Sequence, residues 1–114
     1  MGNDCIFCKI RDGEIPGEFL YRDNHCFVIR DIAPQAPVHL LVIPNVLFTF
    51  LSNLTSENHD MLGAMFSAAK EVAAGEKVDI SGYRLVINQG ANSGQIVDHL
   101  HLHLLGGQLL GNMC

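Results

Sequence analysis

One stretch of the chain repeats its apolar residues at the spacing of a helix. Between residues 56 and about 74, the apolar positions form a single stripe of Leu62, Met65, Phe66, Ala69, Val72 and Ala73. Thr55 suits the N-cap, Glu57 favours the first turn, and Gly75 suits a C-terminal stop. The pattern therefore predicts one long amphipathic helix, and a second, short helix is expected over residues 5–11.

Several shorter apolar runs have the length and composition of strands. The first two flank the turn pair Asp23-Asn24, which predicts a hairpin. A glycine-rich loop over residues 88–95 separates the last two. The predicted strands cover residues 19–22, 26–30, 39–43, 83–87 and 99–105. Strands with short connections, interrupted by one long helix, predict an α+β fold, mainly an antiparallel meander, in a single domain over residues 1–114.

The last predicted strand, HLHLHLL, alternates strictly between histidine and leucine. Because a strand has a period of two, His99, His101 and His103 share one face at intervals of about 6.6 Å. Three explanations fit such a row. The first is that the histidines are exposed polar positions. The second is that they are metal ligands, although the row spans about 13 Å and three rings cannot easily share one ion. The third is nucleophilic and acid–base chemistry on phosphorus, for which neutral imidazoles are suited.

Charge and composition limit which partners and which cellular compartment are expected for this chain. Seven Lys plus Arg stand against twelve Asp plus Glu, a net charge of −5, which disfavours nucleic acids and anionic membranes as partners. Residues 32–56 lack charged side chains, but three prolines interrupt them, so a membrane span is not expected. The N-terminus lacks the apolar region of a secretory signal. We expect a cytoplasmic protein whose four cysteines, Cys5, Cys8, Cys26 and Cys114, are thiols.

The alternating strand also carries a family resemblance. HLHLHLL resembles the histidine-triad (HIT) signature at every position, and the Gly106-Gly107 that follows is similar to its HinT branch. Three further segments, at residues 31–39, 41–44 and 82–88, resemble that branch in the same order. The resemblance implies the HIT fold, in a homodimer whose two protomers share a continuous sheet. It also implies hydrolysis of purine nucleoside 5′-phosphoramidates or aminoacyl-adenylates through a covalent nucleotidyl-histidine, without a required cofactor.

The resemblance assigns roles to particular residues. His101 would be the nucleophile, His103 would lie against the phosphate and the leaving group, and His99 and His39 would complete the catalytic cluster. The implied nucleotide-binding residues are Asp31 at the ribose, Ile32 at the base, and Asn88, Gly94, Gln95, Ile96, His101 and His103 toward the phosphate. Independently of the family, a glycine-rich loop leaves backbone N–H groups free to bind an anion.

Departures from the family pattern leave alternatives open. Some members bind zinc with a C-x-x-C pair, the first triad histidine and one more histidine. Cys5, Cys8 and His99 match three of these ligands, but Leu47 occupies the fourth position, so both cysteines could instead be small buried apolar residues. Ile96 replaces a serine that is frequent in the branch, and only seven residues follow Gly107, so substrate selectivity is open. The alternative functions are dinucleoside polyphosphate hydrolysis and a zinc-stabilised nucleotide-binding protein without catalysis.

Overall fold

A five-stranded antiparallel sheet with one long helix on one face makes up the fold, as the sequence predicts. The computed structural model describes residues 5–113, so Cys114 lies outside them. The elements are α1 (Ile6–Arg11), β1 (Tyr21–Arg22), β2 (Cys26–Arg30), β3 (Val38–Pro44), α2 (His59–Gly75), β4 (Tyr83–Val86) and β5 (Leu102–Gly106). The strand order is β1-β2-β3-β5-β4. No helix within residues 5–113 is long and apolar enough to cross a membrane.

Alternation along the strands gives the sheet two apolar faces. On one face, α2 packs on a core that includes Val28, Leu40, Val42, Leu102 and Leu104. The opposite face carries a smaller cluster of Phe7 from α1 with Phe27, Ile29, Leu41 and Ile43. Leu41 pairs with His103 across β3 and β5. His103, the histidine of β5, therefore lies on the face of the smaller cluster, with α2 behind the sheet.

The long helix differs from its prediction at both ends and in one stripe position. The Thr55 side chain accepts a hydrogen bond from the Glu57 N–H, but it opens a 3-10 turn, and α2 begins only at His59. Gly75 is the last helical residue, and Lys77 adopts the positive φ of 62° that ends the helix. The buried stripe consists of Met61, Met65, Ala68, Ala69, Val72 and Ala73. Phe66, expected inside, is 50% exposed, because at about 100° per residue its position falls outside the arc of the helix that the six buried residues occupy.

The last strand starts later than predicted. Residues 99–101 precede β5 because the backbone there leaves the ladder with β3: the Leu100 N–H donates to the Phe48 carbonyl, and the His99 ring donates to the Pro44 carbonyl. The predicted segregation of side chains nevertheless persists. Leu100, Leu102 and Leu104 are all fully buried in the core beneath α2.

Candidate active site

The backbone fixes the proton on the ring of His101. Its Nδ1 lies 2.7 Å from the His99 carbonyl oxygen, which can only accept, so Nδ1–H is the donor. A neutral imidazole carries one proton, and the lone pair therefore resides on Nε2. The ring is 7% exposed, and the edge of Phe7 packs against it with ring centroids 5.1 Å apart. In this neutral form, His101 presents a fixed, unprotonated Nε2.

A chain of hydrogen bonds fixes the protons on His39 and His103 in the same way. The Gln35 backbone N–H donates to His39 Nδ1 at 3.1 Å, so neutral His39 carries its proton on Nε2. That Nε2–H donates to His103 Nδ1 at 2.9 Å. His103 must then hold its own proton on Nε2. Since the His101 and His103 ring centroids are 4.8 Å apart, a lone pair and an N–H donor lie on neighbouring rings.

Burial keeps these rings neutral. It is the main cause that lowers the pKa of His39, and the nearby Asp31 carboxylate partly opposes the shift. One Asp31 carboxylate oxygen lies 3.4 Å from His39 Nε2. Burial, with positive charge on His101 and His39 as smaller causes, lowers the pKa of His103 to about 4, and the Asp31 carboxylate opposes this shift. At neutral pH, His39 and His103 are therefore neutral imidazoles.

His99 belongs to a different set of contacts. Its Nε2–H donates to the Pro44 carbonyl at 2.9 Å, which leaves the Nδ1 lone pair facing two thiols. Cys5 Sγ lies 3.0 Å and Cys8 Sγ 3.6 Å from Nδ1. The fully buried His99 ring therefore joins α1 to the segment before β5. Its predicted part in catalysis stays a prediction.

These three residues fit part of a zinc site. The two Sγ atoms and the His99 Nδ1 all lie within 4.8 Å of one another. The carbonyl that holds His99 Nε2–H is the outer contact that metal-bound imidazoles commonly make. Leu47, at the fourth family position, is 51% exposed and offers no ligand atom. Cys5, Cys8 and His99 could hold zinc with water as fourth ligand, where it would link α1 to the strand region without taking part in a reaction.

A cavity of about 410 Å³ opens beside the histidines. His39 and His103 line it together with Asn88 and Gly94 of the glycine-rich loop and Arg84 of β4. Gly94 has a φ of 82°, a backbone conformation that favours glycine. A larger cavity of about 580 Å³ lies at the other end of β4, and none of the described residues that line it is a histidine. The smaller cavity is therefore the candidate site.

The predicted loop residues brace this cavity. The Asn88 side chain donates to the Ser93 carbonyl at 2.8 Å and holds the two ends of the loop together. Gln95 accepts from the Gly90 N–H at 2.8 Å and donates to the Val97 carbonyl at 3.2 Å. The side-chain amides of Asn88 and Gln95 therefore form hydrogen bonds with the loop backbone and stabilise its conformation.

The remaining predicted residues are Asp31, Ile32 and Ile96, and none of them is buried. Ile32 is 96% exposed and Ile96 is 92% exposed, so each presents an uncovered apolar side chain. One Asp31 oxygen accepts from the Ala33 N–H at 2.8 Å, while the other faces His39.

The sequence did not single out Arg84 or the link from Asp31 to His39. Alternation could have indicated Arg84, because Leu85 packs in the core beneath α2 and its neighbour must face the other way.

The sheet, the histidine row and the loop define an α+β protein of the histidine-triad class. The family model described as HIT domain matches residues 12–109, and the chain belongs to the HIT family.

Relatives match over nearly their full length. A purine nucleoside phosphoramidase of Escherichia coli (strain K12) is 42% identical over 113 residues, which cover 99% of this chain and 95% of that protein. A HIT family hydrolase from Legionella pneumophila is 41% identical with a TM-score of 0.90, covering 95% of this chain and 96% of that chain. The HIT family hydrolase from Clostridium thermocellum is 39% identical with a TM-score of 0.93, covering 98% and 97%.

Proposed function

We propose that this protein hydrolyses the P–N bond of purine nucleoside 5′-phosphoramidates or cleaves aminoacyl-adenylates, and releases a nucleoside monophosphate. The name of the E. coli relative supports the reaction class. The observation that carries the proposal is the pairing of proton states on adjacent rings. The His101 Nε2 lone pair stands beside a His103 ring whose Nε2 holds a proton. A nucleophile and a donor are the two groups that phosphoramidate cleavage requires.

In the first step, the His101 Nε2 lone pair attacks phosphorus in line, a P–Nε2 bond forms, and the P–N bond to the amine breaks. His101 becomes a positively charged phosphoimidazolium, and the His99 carbonyl that accepts from Nδ1–H stabilises that charge. The departing amine keeps the bonding pair and needs a proton. The His103 Nε2–H donates to this nitrogen as the P–N bond breaks, and a proton from solvent replaces the one that the amine carries away.

In the second step, water attacks phosphorus and breaks the P–Nε2 bond. The nucleoside monophosphate leaves, one proton of the water goes to solvent, and His101 returns to its neutral state. We assign phosphate binding to the loop residues Asn88, Gly94, Gln95 and Ile96. The position of the loop supports this assignment, because Asn88 and Gly94 line the same cavity as His103. The backbone N–H groups of Ser93, Gly94 and Gln95 already donate within the loop, so they are not the free donors that the glycine-rich sequence indicates.

We assign the nucleoside to the surface next to β2. Asp31 provides a carboxylate that can accept from ribose hydroxyls, and Ile32 provides an uncovered apolar side chain for a base. In this assignment the Asp31 carboxylate both accepts from the ribose and contacts His39 Nε2.

The test is release of AMP from adenosine 5′-phosphoramidate. We expect turnover by the wild type and a loss of at least about 10³-fold in His101→Ala, in line with removal of a covalent nucleophile. His25→Ala, which changes an exposed histidine on a turn, is the matched control. Equal rates for wild type and His101→Ala would refute the proposal.

Two further measurements sharpen this test. A dinucleoside polyphosphate assayed in parallel identifies the alternative hydrolase activity by a higher kcat/KM. Mass spectrometry of the wild type, quenched in acid-free buffer within the first turnover, is expected to show protein carrying one added AMP group, and His101→Ala is expected to show none.

We also propose a homodimer that continues the sheet. In the strand order of the described chain β4 is an edge strand, and its Tyr83 side chain is 38% exposed. Unpaired edges are templates for pairing with another strand. Such pairing uses backbone groups and leaves side chains on the two faces of the sheet. Light scattering after size exclusion is expected to give twice the chain mass of 12.5 kDa, and a monomer at micromolar concentration would contradict the proposal.

A further inference from the structure

We propose that Asp31, His39 and His103 bind a divalent metal ion of the zinc class (Zn²⁺, Co²⁺, Ni²⁺ or Cu²⁺), and that this ion reversibly inhibits the enzyme. The three side chains come from the loop after β2, from β3 and from β5, so strand pairing rather than a sequence motif brings them together. The metal site stands on geometry alone. Only its effect on catalysis rests on the proposed function.

Three ligand atoms already converge at this point. His39 Nε2 lies 2.9 Å from His103 Nδ1 and 3.4 Å from an Asp31 carboxylate oxygen. The three residues each offer one ligand atom, and these atoms lie within 4.8 Å of one another. Around a tetrahedral zinc ion, with bonds of about 2.0–2.1 Å, neighbouring ligand atoms are about 3.4 Å apart. The two rings therefore need to separate by about half an ångström to admit an ion, and Asp31 already has the right distance to His39.

The chemistry of the ligand set selects the class of ion. Two imidazole nitrogens and one carboxylate oxygen suit zinc, copper, nickel and cobalt. Mg²⁺ and Ca²⁺ prefer oxygen ligands throughout, so they are expected to bind poorly to the same three side chains. The carboxylate supplies one negative charge to offset part of the charge of the ion.

The surroundings hold two of the three ligands ready. His103 carries its proton on Nε2, so its Nδ1 lone pair is available to an ion. The Ala33 N–H donates to the second Asp31 oxygen at 2.8 Å, an outer contact of the kind that orients metal-binding carboxylates. His39 and His103 both line the cavity of about 410 Å³, which has room for water as a further ligand.

His39 has to shift its proton before it can bind a metal. Its neutral ring carries that proton on Nε2, because the Gln35 N–H donates to Nδ1 at 3.1 Å. Binding through Nε2 moves the proton to Nδ1 and breaks this hydrogen bond, after which the Gln35 N–H, in an exposed loop, binds water. This cost makes the ion easier to remove than a structural zinc with four protein ligands. The site therefore suits a reversible inhibitor better than a permanent ion.

An ion at this point interferes with two groups of the proposed reaction. It occupies the Asp31 carboxylate, which then no longer accepts from the ribose. It also replaces the hydrogen bond from His39 that orients His103, and the wider spacing of these two rings moves the His103 Nε2–H away from its place beside His101. The substrate is then bound less tightly, and the departing amine receives its proton less readily. Both effects lower kcat/KM.

The first experiment titrates the protein with Co²⁺ and then displaces it with Zn²⁺. Co²⁺ bound to nitrogen and oxygen ligands absorbs visible light, and a thiolate-to-metal charge-transfer band is added only when Cys5 or Cys8 binds the ion. We expect visible bands in the wild type that rise independently of any thiolate band. Asp31→Asn and His103→Gln are each expected to weaken this binding by at least about tenfold. Asp79→Asn, the same change at an exposed turn, is expected to bind as the wild type does.

The second experiment measures AMP release from adenosine 5′-phosphoramidate at increasing Zn²⁺. We expect kcat/KM of the wild type to fall by half at a Zn²⁺ concentration equal to the Kd, and a chelator to restore it. Mg²⁺ at the same concentrations is expected to leave the rate unchanged. The remaining activity of Asp31→Asn is expected to need about tenfold more Zn²⁺ for the same fractional inhibition.

Each outcome has a separate meaning. An unchanged Kd in both Asp31→Asn and His103→Gln overturns the site, and so does a wild-type titration in which every visible band rises together with a thiolate band. Binding that both substitutions weaken, without inhibition of the wild type, supports the site and overturns its effect on catalysis. If the wild type does not cleave the phosphoramidate at all, the proposed function fails, and the Co²⁺ titration still decides the site.

Discussion

Acid is expected to destabilise the folded protein, with His103 as a principal cause. Burial lowers the pKa of this ring from 6.5 to about 4 in the folded state. Between these values the unfolded chain binds a proton that the folded chain does not. The stabilisation is therefore fully present above pH 6.5 and is lost progressively as the pH falls toward 4.

The magnitude follows from the pKa difference. One pKa unit corresponds to about 1.36 kcal/mol, which gives about 3 kcal/mol for a fall from 6.5 to about 4. Because His103 borders an open cavity, water reduces this figure, and we expect a contribution of about 2 kcal/mol. That is a large fraction of the stability of a domain of this size.

The assay is urea unfolding at pH 7.5, 6.5, 5.5 and 4.5. The wild type is compared with His103→Gln, which keeps a donor and an acceptor but cannot titrate. We expect the free energy of unfolding to fall less steeply with pH in the variant, by about 2 kcal/mol over the range. His25→Gln, a change at an exposed histidine, is expected to follow the wild type. Parallel curves for wild type and His103→Gln, or an NMR titration of His103 near pH 6.5, would refute the reasoning.

Three further predictions concern packing and metal binding. Gly107→Ala is expected to lower the free energy of unfolding by about 1–3 kcal/mol in urea, because φ is 92° and a Cβ would lie 2.9 Å from Pro37 Cβ; an unchanged midpoint would contradict it. Leu104→Ala is expected to cost about 2–5 kcal/mol in the same assay, whereas Leu109→Ala, at a side chain that is 97% exposed, is expected to cost little. Added Zn²⁺ is expected to raise the Tm of the wild type more than that of Cys8→Ala, and equal shifts would exclude these ligands.

Local periodicity predicted the features that depend on neighbouring residues. The alternation of histidine and leucine placed Leu100, Leu102 and Leu104 in the core because a strand sends successive side chains to opposite sides. The stripe of α2 was predicted at Met65, Ala69 and other positions for the same kind of reason. The prediction that Phe66 is buried was wrong. Phe66 is apolar like the residues of the stripe, but its angle around the helix places it outside the buried arc.

Features that depend on contacts between distant segments could not be predicted from the sequence. The start of β5 at Leu102 is decided by where the ladder with β3 ends, which no local pattern encodes. The contact between His39 and His103 joins positions 64 residues apart. Its existence requires the register of two strands, and the family resemblance supplied only the expectation that both rings belong to one cluster. The place of Arg84 on the same face depends on a second register, between β4 and β5.

Main-chain groups determine where the protons lie on the rings of the site. The His99 carbonyl orients His101, and the Gln35 amide orients His39 and through it His103. Every amino acid has a carbonyl, and every one except proline has an amide N–H. Substitution at position 35 by any residue but proline therefore keeps the amide, and substitution at position 99 keeps the carbonyl. The ring tautomers therefore do not depend on which side chain, proline apart, stands at position 35, or on which side chain stands at position 99.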